Sequence, residues 1–180
     1  MRGSEEVGLE GVALVRLEPH ADARGSLTET YRAEWLPGAR PMVQSNLSIS
    51  APNVLRGLHF HRGQADYWCV LTGVAFVALV DLRMGSPTES RSAQIRIVAG
   101  RERLGLYIPP GVAHGFYAET EVHLQYLVDA TFTGEDEFGL AWDDPHADIA
   151  WPGPDPILSE RDRTNPSFDE ARERAPAFGR

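Results

Sequence analysis

The sequence predicts an all-β domain of the sandwich or barrel type, and two observations support that fold class. Apolar residues alternate with polar residues at a period of two through most of the chain, as they do in half-buried strands. Glycine and proline interrupt this pattern about every eight to twelve residues, the usual spacing of turns between short strands. At 180 residues the chain is expected to form one domain, 1–180, with a core over about 8–168 and a C-terminal tail over 169–180.

Four strands and two short helices can be assigned in chain order. A short helix is predicted near residues 32–36. The strands alternate apolar residues and are mostly bounded by glycine or proline turns; they cover 74–82, the region of 95–97, 104–108 and 122–128. A last helix is predicted from Ser167, because Ser167 and Glu170 have the spacing of a capping box.

Composition excludes several classes of function. The net charge of −9 argues against nucleic-acid binding, which requires a basic face. All 17 basic residues are arginine, so neither a Schiff base nor a lysine acid is available. Cys69 is the only cysteine, so no intrachain disulfide can form. The sequence has no apolar run of membrane-span length and no signal peptide, so we expect a cytoplasmic protein that binds neither nucleic acid nor membranes.

Histidines concentrate in two short segments that point to a site inside the barrel. His59 and His61 lie two residues apart, so both point to the same face of a strand. His114 follows a proline–glycine turn, and Tyr126 shares a strand face with apolar residues and is expected to point inward. A later segment adds a carboxylate, Asp162. Burying these groups without a function would cost several kcal/mol of desolvation, so together they indicate a functional site.

Arg56 poses a question of orientation. Strict alternation places its side chain on the opposite strand face from His59. Gly57 lies between them and is a candidate for a β-bulge, which would turn both side chains inward.

Seven motifs resemble those of the dTDP-4-dehydrorhamnose 3,5-epimerase family of the cupin superfamily. The first is Asp22-Ala23-Arg24-Gly25 with Glu29, and the last is Ile157-Leu158-Ser159-Glu160-Arg161-Asp162. The other five lie between them in the family's order, at 44–48, 54–60, 80–88, 108–116 and 142–145. The resemblance implies a cupin-type jelly roll or β-barrel with a few short helices, a homodimer, and a nucleotide sugar as substrate.

The resemblance also implies an isomerase that inverts C3, C5 or both in a dTDP-4-keto-6-deoxyhexose, without a cofactor. His59 is the expected base beside the ketone, Asp162 orients and charges its imidazole, and Tyr126 is the acid that returns a proton. In the family, the residue at the position of Arg24 comes from the dimer partner. Substrate contacts are expected from eight further residues: Arg24, Glu29, Gln44, Asn46, Arg56, His114, Phe132 and Arg161.

Two departures from the family leave alternatives open. Asp66 stands where the family has a lysine that stabilises the enolate oxygen, and Leu27 stands near the place of an aromatic residue that stacks on thymine. One alternative is a metal-dependent cupin enzyme, an oxygenase or a lyase-like enzyme, that acts on another small molecule. Its ligands for one divalent transition metal would be His59, His61, Asp66 and His114. Another alternative is a recruited family member that catalyses a different reaction.

Overall fold

Two antiparallel sheets share one core in this computed structural model, which describes residues 4–131 and 133–179. The six-stranded sheet has the order β1 (Ser4–Glu6), β2 (Ala13–Arg16), β10 (Leu104–Ile108), β7 (Asp66–Thr72), β12 (Val122–Val128) and β5 (Gln44–Ser50). The five-stranded sheet has the order β13 (Phe138–Gly139), β6 (Leu55–Phe60), β11 (Val112–Ala118), β8 (Val74–Asp81) and β9 (Ser92–Val98). A separate hairpin consists of β3 (Pro19–Asp22) and β4 (Gly25–Thr28).

The helices are few and short, so the predicted all-β class is confirmed. They are α1 (Glu160–Arg163), α2 (Phe168–Arg174) and two 3₁₀ turns at Ala33–Trp35 and Pro145–Ala147. The helix predicted near 32–36 is the first of these turns, and the capping box at the start of α2 is confirmed. Within the described ranges, no helix combines the length and the apolar composition that a membrane crossing requires.

The strand assignments agree with the structure because alternation is a local signal. Strands β10 and β12 have the predicted bounds, β8 ends one residue earlier than predicted, and β9 contains the region of 95–97. The inward residues of these strands, such as Leu79, Leu106 and Leu124, are at most 2% exposed. Each buried side chain of this size contributes about 1.5–3 kcal/mol, so they hold the two sheets together.

The C-terminal segment packs against the rest of the domain through α2. Phe168 and Ala171 of α2 and Ala175 directly after it are each at most 6% exposed, in a cluster with Leu82, which follows β8. Their spacing of three and four residues gives the helix an apolar stripe. Beyond the helix, Ala177 forms a bridge to Met84.

Candidate active site

A cavity of about 480 Å³ lies between the two sheets and receives side chains from both. This volume is ordinary for a small-molecule site. Strands β5, β7 and β12 contribute from one sheet, and β6 and β11 from the other. Eight of the eleven predicted site residues line it: Gln44, Asn46, Arg56, His59, His114, Tyr126, Arg161 and Asp162.

His59 and Asp162 form a hydrogen-bonded pair in the cavity wall. His59 lies on β6 and Asp162 on α1, with Nε2 of the imidazole 2.6 Å from Oδ1 of the carboxylate. The Ser159 hydroxyl caps α1 by accepting a hydrogen bond from the Asp162 backbone N–H at 3.1 Å, so the helix start fixes the carboxylate. Because Nε2 faces Asp162, Nδ1 is the ring nitrogen that can take up another proton.

The buried carboxyl group of Asp162 is ionised at neutral pH although it is only 4% exposed. Burial raises the pKa of Asp162, but the hydrogen bond and charge of His59, with hydrogen bonds from Ser159 and from the Gly57 backbone, outweigh burial. The net pKa of Asp162 therefore lies below the ordinary value. An ionised partner at this distance stabilises the imidazolium that forms when His59 accepts a proton.

Tyr126 reaches the cavity from the other sheet. It lies on β12, opposite Asn46 of β5 and Trp68 of β7 in the strand register. Burial, followed by the nearby charges of Asp66 and Glu137, raises the pKa of the Tyr126 phenol. The phenol is therefore protonated at neutral pH and can donate its proton inside the cavity. The candidate base and the candidate acid thus stand on different sheets.

A bulge in β6 turns Arg56 into the cavity, so the expected β-bulge at Gly57 is present. His59 pairs with His114 and Arg56 pairs with Phe116. Between these two pairs, β6 has two residues where β11 has one, which is the definition of a bulge. Gly57 has φ = 123°, and a Cβ atom there would lie 2.7 Å from the Cα atom of Gly115. Only glycine fits this position. The side chain of Arg56 is held by a 2.8 Å hydrogen bond from Nε to Oγ of Ser50.

The second cavity arginine, Arg161, is held by an acid. Its Nη1 atom lies 2.5 Å from Oε1 of Glu137, and both side chains line the cavity and are partly exposed. An anionic ligand that binds Arg161 has to replace this carboxylate. Such an exchange is possible for a diphosphate, whose oxygens match the guanidinium fork.

His61, Asp66 and His114 form a buried cluster in the same cavity. One nitrogen or oxygen atom from each lies within 4.8 Å of the other two, and the residues are 8%, 3% and 5% exposed. Burial lowers the pKa of His114 to about 4, so this imidazole is neutral at physiological pH. His59 does not belong to this cluster, in which the ligand atoms lie within 4.8 Å of one another. Three of the four residues predicted as alternative metal ligands therefore lie together.

Two of the predicted substrate residues, Arg24 and Glu29, do not line the cavity of this chain. Arg24 lies between β3 and β4 with its side chain 90% exposed, and it pairs with Asp22 at 2.5 Å. Glu29 pairs with Arg32. Phe132 lies outside the described residues. Leu27 is 71% exposed on the same hairpin as Arg24.

Several cavity residues were missed by the sequence analysis. Glu137 lies in an irregular segment just before β13, where no periodic pattern marks it. Ser159 could have been found, because a serine three residues before Asp162 is a helix-start signal. Trp68 packs edge-on against the ring of His114 at 5.2 Å between centroids, a contact that depends on two strands far apart in sequence.

The chain matches one family over most of its length. The family model described as dTDP-4-dehydrorhamnose 3,5-epimerase matches residues 6–170. A relative from Streptomyces niveus, named dTDP-4-dehydrorhamnose 3-epimerase, is 37% identical over 175 residues, which cover 93% of this chain and 84% of the relative.

Solved structures share the whole fold. The 4-keto-6-deoxy sugar epimerase from the novobiocin biosynthetic gene cluster of Streptomyces spheroides superposes with a TM-score of 0.90 at 34% identity, over 99% of this chain and 94% of that one. An epimerase from Legionella pneumophila, solved in complex with dTDP-4-keto-L-rhamnose, superposes with a TM-score of 0.90 at 28% identity over 100% of both chains. The predicted cupin-type fold is confirmed by these matches.

Proposed function

We propose a catalytic mechanism for this chain from one premise: the chain belongs to the dTDP-4-dehydrorhamnose 3,5-epimerase family. It is a dTDP-sugar epimerase and therefore an isomerase. The observation that carries the mechanism is the partly buried hydrogen bond between His59 and Asp162, on a different side of the cavity from the sheet that holds Tyr126.

The proposed reaction is a proton removal followed by a proton return on the other face. Nδ1 of His59 takes a proton from a carbon next to the C4 ketone, and the electrons of the broken C–H bond form an enolate. Tyr126 then protonates the same carbon from the opposite sheet, which inverts the carbon and leaves the composition of the sugar unchanged. Two side chains make both transfers, so these transfers need no organic cofactor.

The proposed substrate is a dTDP-4-keto-6-deoxyhexose. The Legionella relative carries a ligand of this type, and the two cavity arginines of the present chain suit its charge. In this proposal Arg161 binds the diphosphate in exchange for Glu137, with which it now forms an ion pair. Gln44 and Asn46 lie on the same wall, where the Gln44 amide donates a 3.0 Å hydrogen bond to Oδ1 of Asn46. We assign both to the hydroxyls of the sugar.

We also propose that the active unit is a homodimer. Arg24 is almost fully exposed and does not reach the cavity of its own chain, so it is available to a second copy. Strand β5 lies at the edge of the six-stranded sheet. Three apolar side chains in or next to this strand are 54–60% exposed: Val43, Leu47 and Ile49. Apolar side chains grouped on a sheet edge favour pairing with another chain. Sedimentation velocity tests this proposal: the wild type should sediment as a dimer, and Leu47→Arg should shift it toward the monomer. A wild type that sediments as a monomer would count against the dimer.

The alternative of a metal-dependent oxygenase or lyase that uses His59 as a ligand is disfavoured. His59 lies outside the group of His61, Asp66 and His114, whose ligand atoms lie within 4.8 Å of one another, and a metal-bound ring could not act as the proposed base.

Deuterium exchange tests the proposed mechanism. In heavy water the wild type should exchange the hydrogen at each carbon that it inverts, so NMR of the sugar also shows whether C3, C5 or both react. His59→Asn should lower exchange by about 10²- to 10⁴-fold, the usual contribution of a general base. His123→Asn changes a partly exposed histidine outside the cavity and should behave like wild type. A wild type that exchanges no dTDP-4-keto-6-deoxyhexose would contradict the proposal.

A further inference from the structure

The cluster of His61, Asp66 and His114 has no task in the proposed proton transfers. The three residues come from separate segments: His61 directly follows β6, Asp66 begins β7, and His114 lies within β11. They converge in one buried part of the cavity, with one nitrogen or oxygen atom of each within 4.8 Å of the other two. A buried cluster of titratable side chains in a cavity is a candidate ligand-binding site.

Backbone hydrogen bonds fix the orientation of both imidazoles. Nδ1 of His61 is 2.5 Å from the backbone oxygen of Asp136, and Nδ1 of His114 is 2.9 Å from the backbone oxygen of Val112. A carbonyl oxygen can only accept, so each Nδ1 carries a hydrogen and donates it. In the neutral form of each ring, the lone pair would therefore be on Nε2. Histidines that bind metal ions have this arrangement, with the other ring N–H donated to a carbonyl or carboxylate.

Both Nε2 atoms face the same carboxylate oxygen. Oδ2 of Asp66 is 3.5 Å from Nε2 of His61 and 4.0 Å from Nε2 of His114. These separations exceed the roughly 2.7–2.9 Å of a charge-assisted hydrogen bond. They suit atoms that share a third partner between them better than atoms that are bonded to each other.

Asp66 has no arginine partner among the described residues. Across residues 4–131 and 133–179, no arginine forms an ion pair with Asp66, and its hydrogen bond from the Gln64 amide is 3.3 Å long. A buried carboxylate is stabilised by a close cation. A divalent cation between the three side chains would supply one at shorter range than the imidazoles of His61 and His114.

We propose that His61, Asp66 and His114 bind one divalent transition-metal ion. Two imidazole nitrogens and one carboxylate oxygen suit Zn²⁺, Fe²⁺, Co²⁺ and related ions. Neighbouring ligand atoms in a tetrahedral shell are about 3.3 Å apart, so the ligands would approach one another by up to about 1.5 Å on binding. Because His59 is not among these three ligands, the metal site and the proposed base exist side by side.

A role for this ion rests on the proposed epimerase function. A bound divalent ion supplies positive charge that polarises a carbonyl oxygen. An Asp66 carboxylate alone, beside an enolate that is gaining negative charge, would oppose the reaction. The ion reverses the sign of the local charge and so makes Asp66 compatible with enolate formation.

Cobalt binding tests the site without reference to activity. The full chain is stripped of metal and titrated with Co²⁺ alone, followed by calorimetry and by visible absorption, which reports the ligand geometry. We expect one Co²⁺ per chain. Asp66→Asn keeps the side-chain shape but removes the charge, and should raise the Kd at least about 10-fold, as should His61→Gln. His123→Gln, outside the cavity, should bind like wild type.

Two results would overturn the site. One is a wild type that takes up less than one Co²⁺ per chain; the other is Asp66→Asn and His61→Gln that both bind like His123→Gln. Circular dichroism shows whether each variant is folded. If either Asp66→Asn or His61→Gln does not fold, the Co²⁺ affinity of the other variant decides whether the site exists. Deuterium exchange is measured separately. Full Co²⁺ binding without exchange would support the site and contradict the epimerase mechanism, whereas exchange at an unchanged rate in stripped protein would overturn the metal's role.

Discussion

Replacing Asp162 by asparagine tests the centre of the mechanism. The carboxylate accepts a 2.6 Å hydrogen bond from His59, and its pKa lies below the ordinary value, so it carries a charge at neutral pH. Hydrogen bonds to a charged partner contribute about 1.5–3 kcal/mol. Asp162→Asn loses this stabilisation when the imidazolium forms. At about 1.36 kcal/mol per tenfold in rate, proton removal should slow by about 10- to 150-fold.

The assay is deuterium exchange into the substrate under saturating and limiting conditions. We expect kcat to fall with little change in KM, because Asp162 acts through His59 rather than through the substrate. Glu160→Gln is the matched control, since it removes an exposed carboxylate from the same helix two residues away. The reasoning would be refuted if Asp162→Asn kept more than about half of the exchange rate, or if Glu160→Gln lost as much.

Three further predictions follow from the geometry. Tyr126→Phe should keep hydrogen exchange by His59 but lower the yield of inverted sugar by about 10²-fold or more; NMR of the product separates the two, and equal loss of both would contradict the assignment. Gly57→Ala should destabilise the fold by about 1–3 kcal/mol in urea unfolding, because the new Cβ meets backbone at 2.7 Å, whereas Gly63→Ala, with its nearest atom at 3.5 Å, should not. The pKa of Asp81 is raised by burial but lowered further by its hydrogen bonds, so its net pKa is below the ordinary value. The ionised Asp81 carboxylate therefore stabilises the fold above about pH 3.9, and this stabilisation is lost as the pH falls below that value. Asp81→Asn should therefore lower the free energy of unfolding more at pH 7 than at pH 3. An equal loss at both pH values would argue against this role of the carboxylate.

The sequence predicted elements better than it predicted contacts. Strands β10 and β12 have the predicted bounds, because alternation and turn residues act over a few neighbouring positions. The inward orientation of Tyr126 followed from the same rule. The bulge at Gly57 was anticipated only from a conflict between alternation and the expected role of Arg56.

Pairings over long distances were not available from periodicity. His59 and Asp162 are 103 positions apart, and only the resemblance to a family suggested that they meet. The sequence pattern also grouped His59 with the possible metal ligands, because spacing alone gives the strand face of a histidine but not the direction of each ring nitrogen. Glu137 gave no signal at all, since it lies in an irregular segment.

The sequence by itself determined the all-β class, the bounds of β10 and β12 and the lack of lysine, since these depend on residue type and local spacing. Only the tertiary structure decided which partner each cavity imidazole faces: His59 turns to Asp162, while His61 and His114 turn to Asp66. The physical reason is that a hydrogen bond or an ion-pair contact requires two atoms to approach within about 3–4 Å. That closeness is set by the packing of two sheets and a helix, not by the order of residues along one strand.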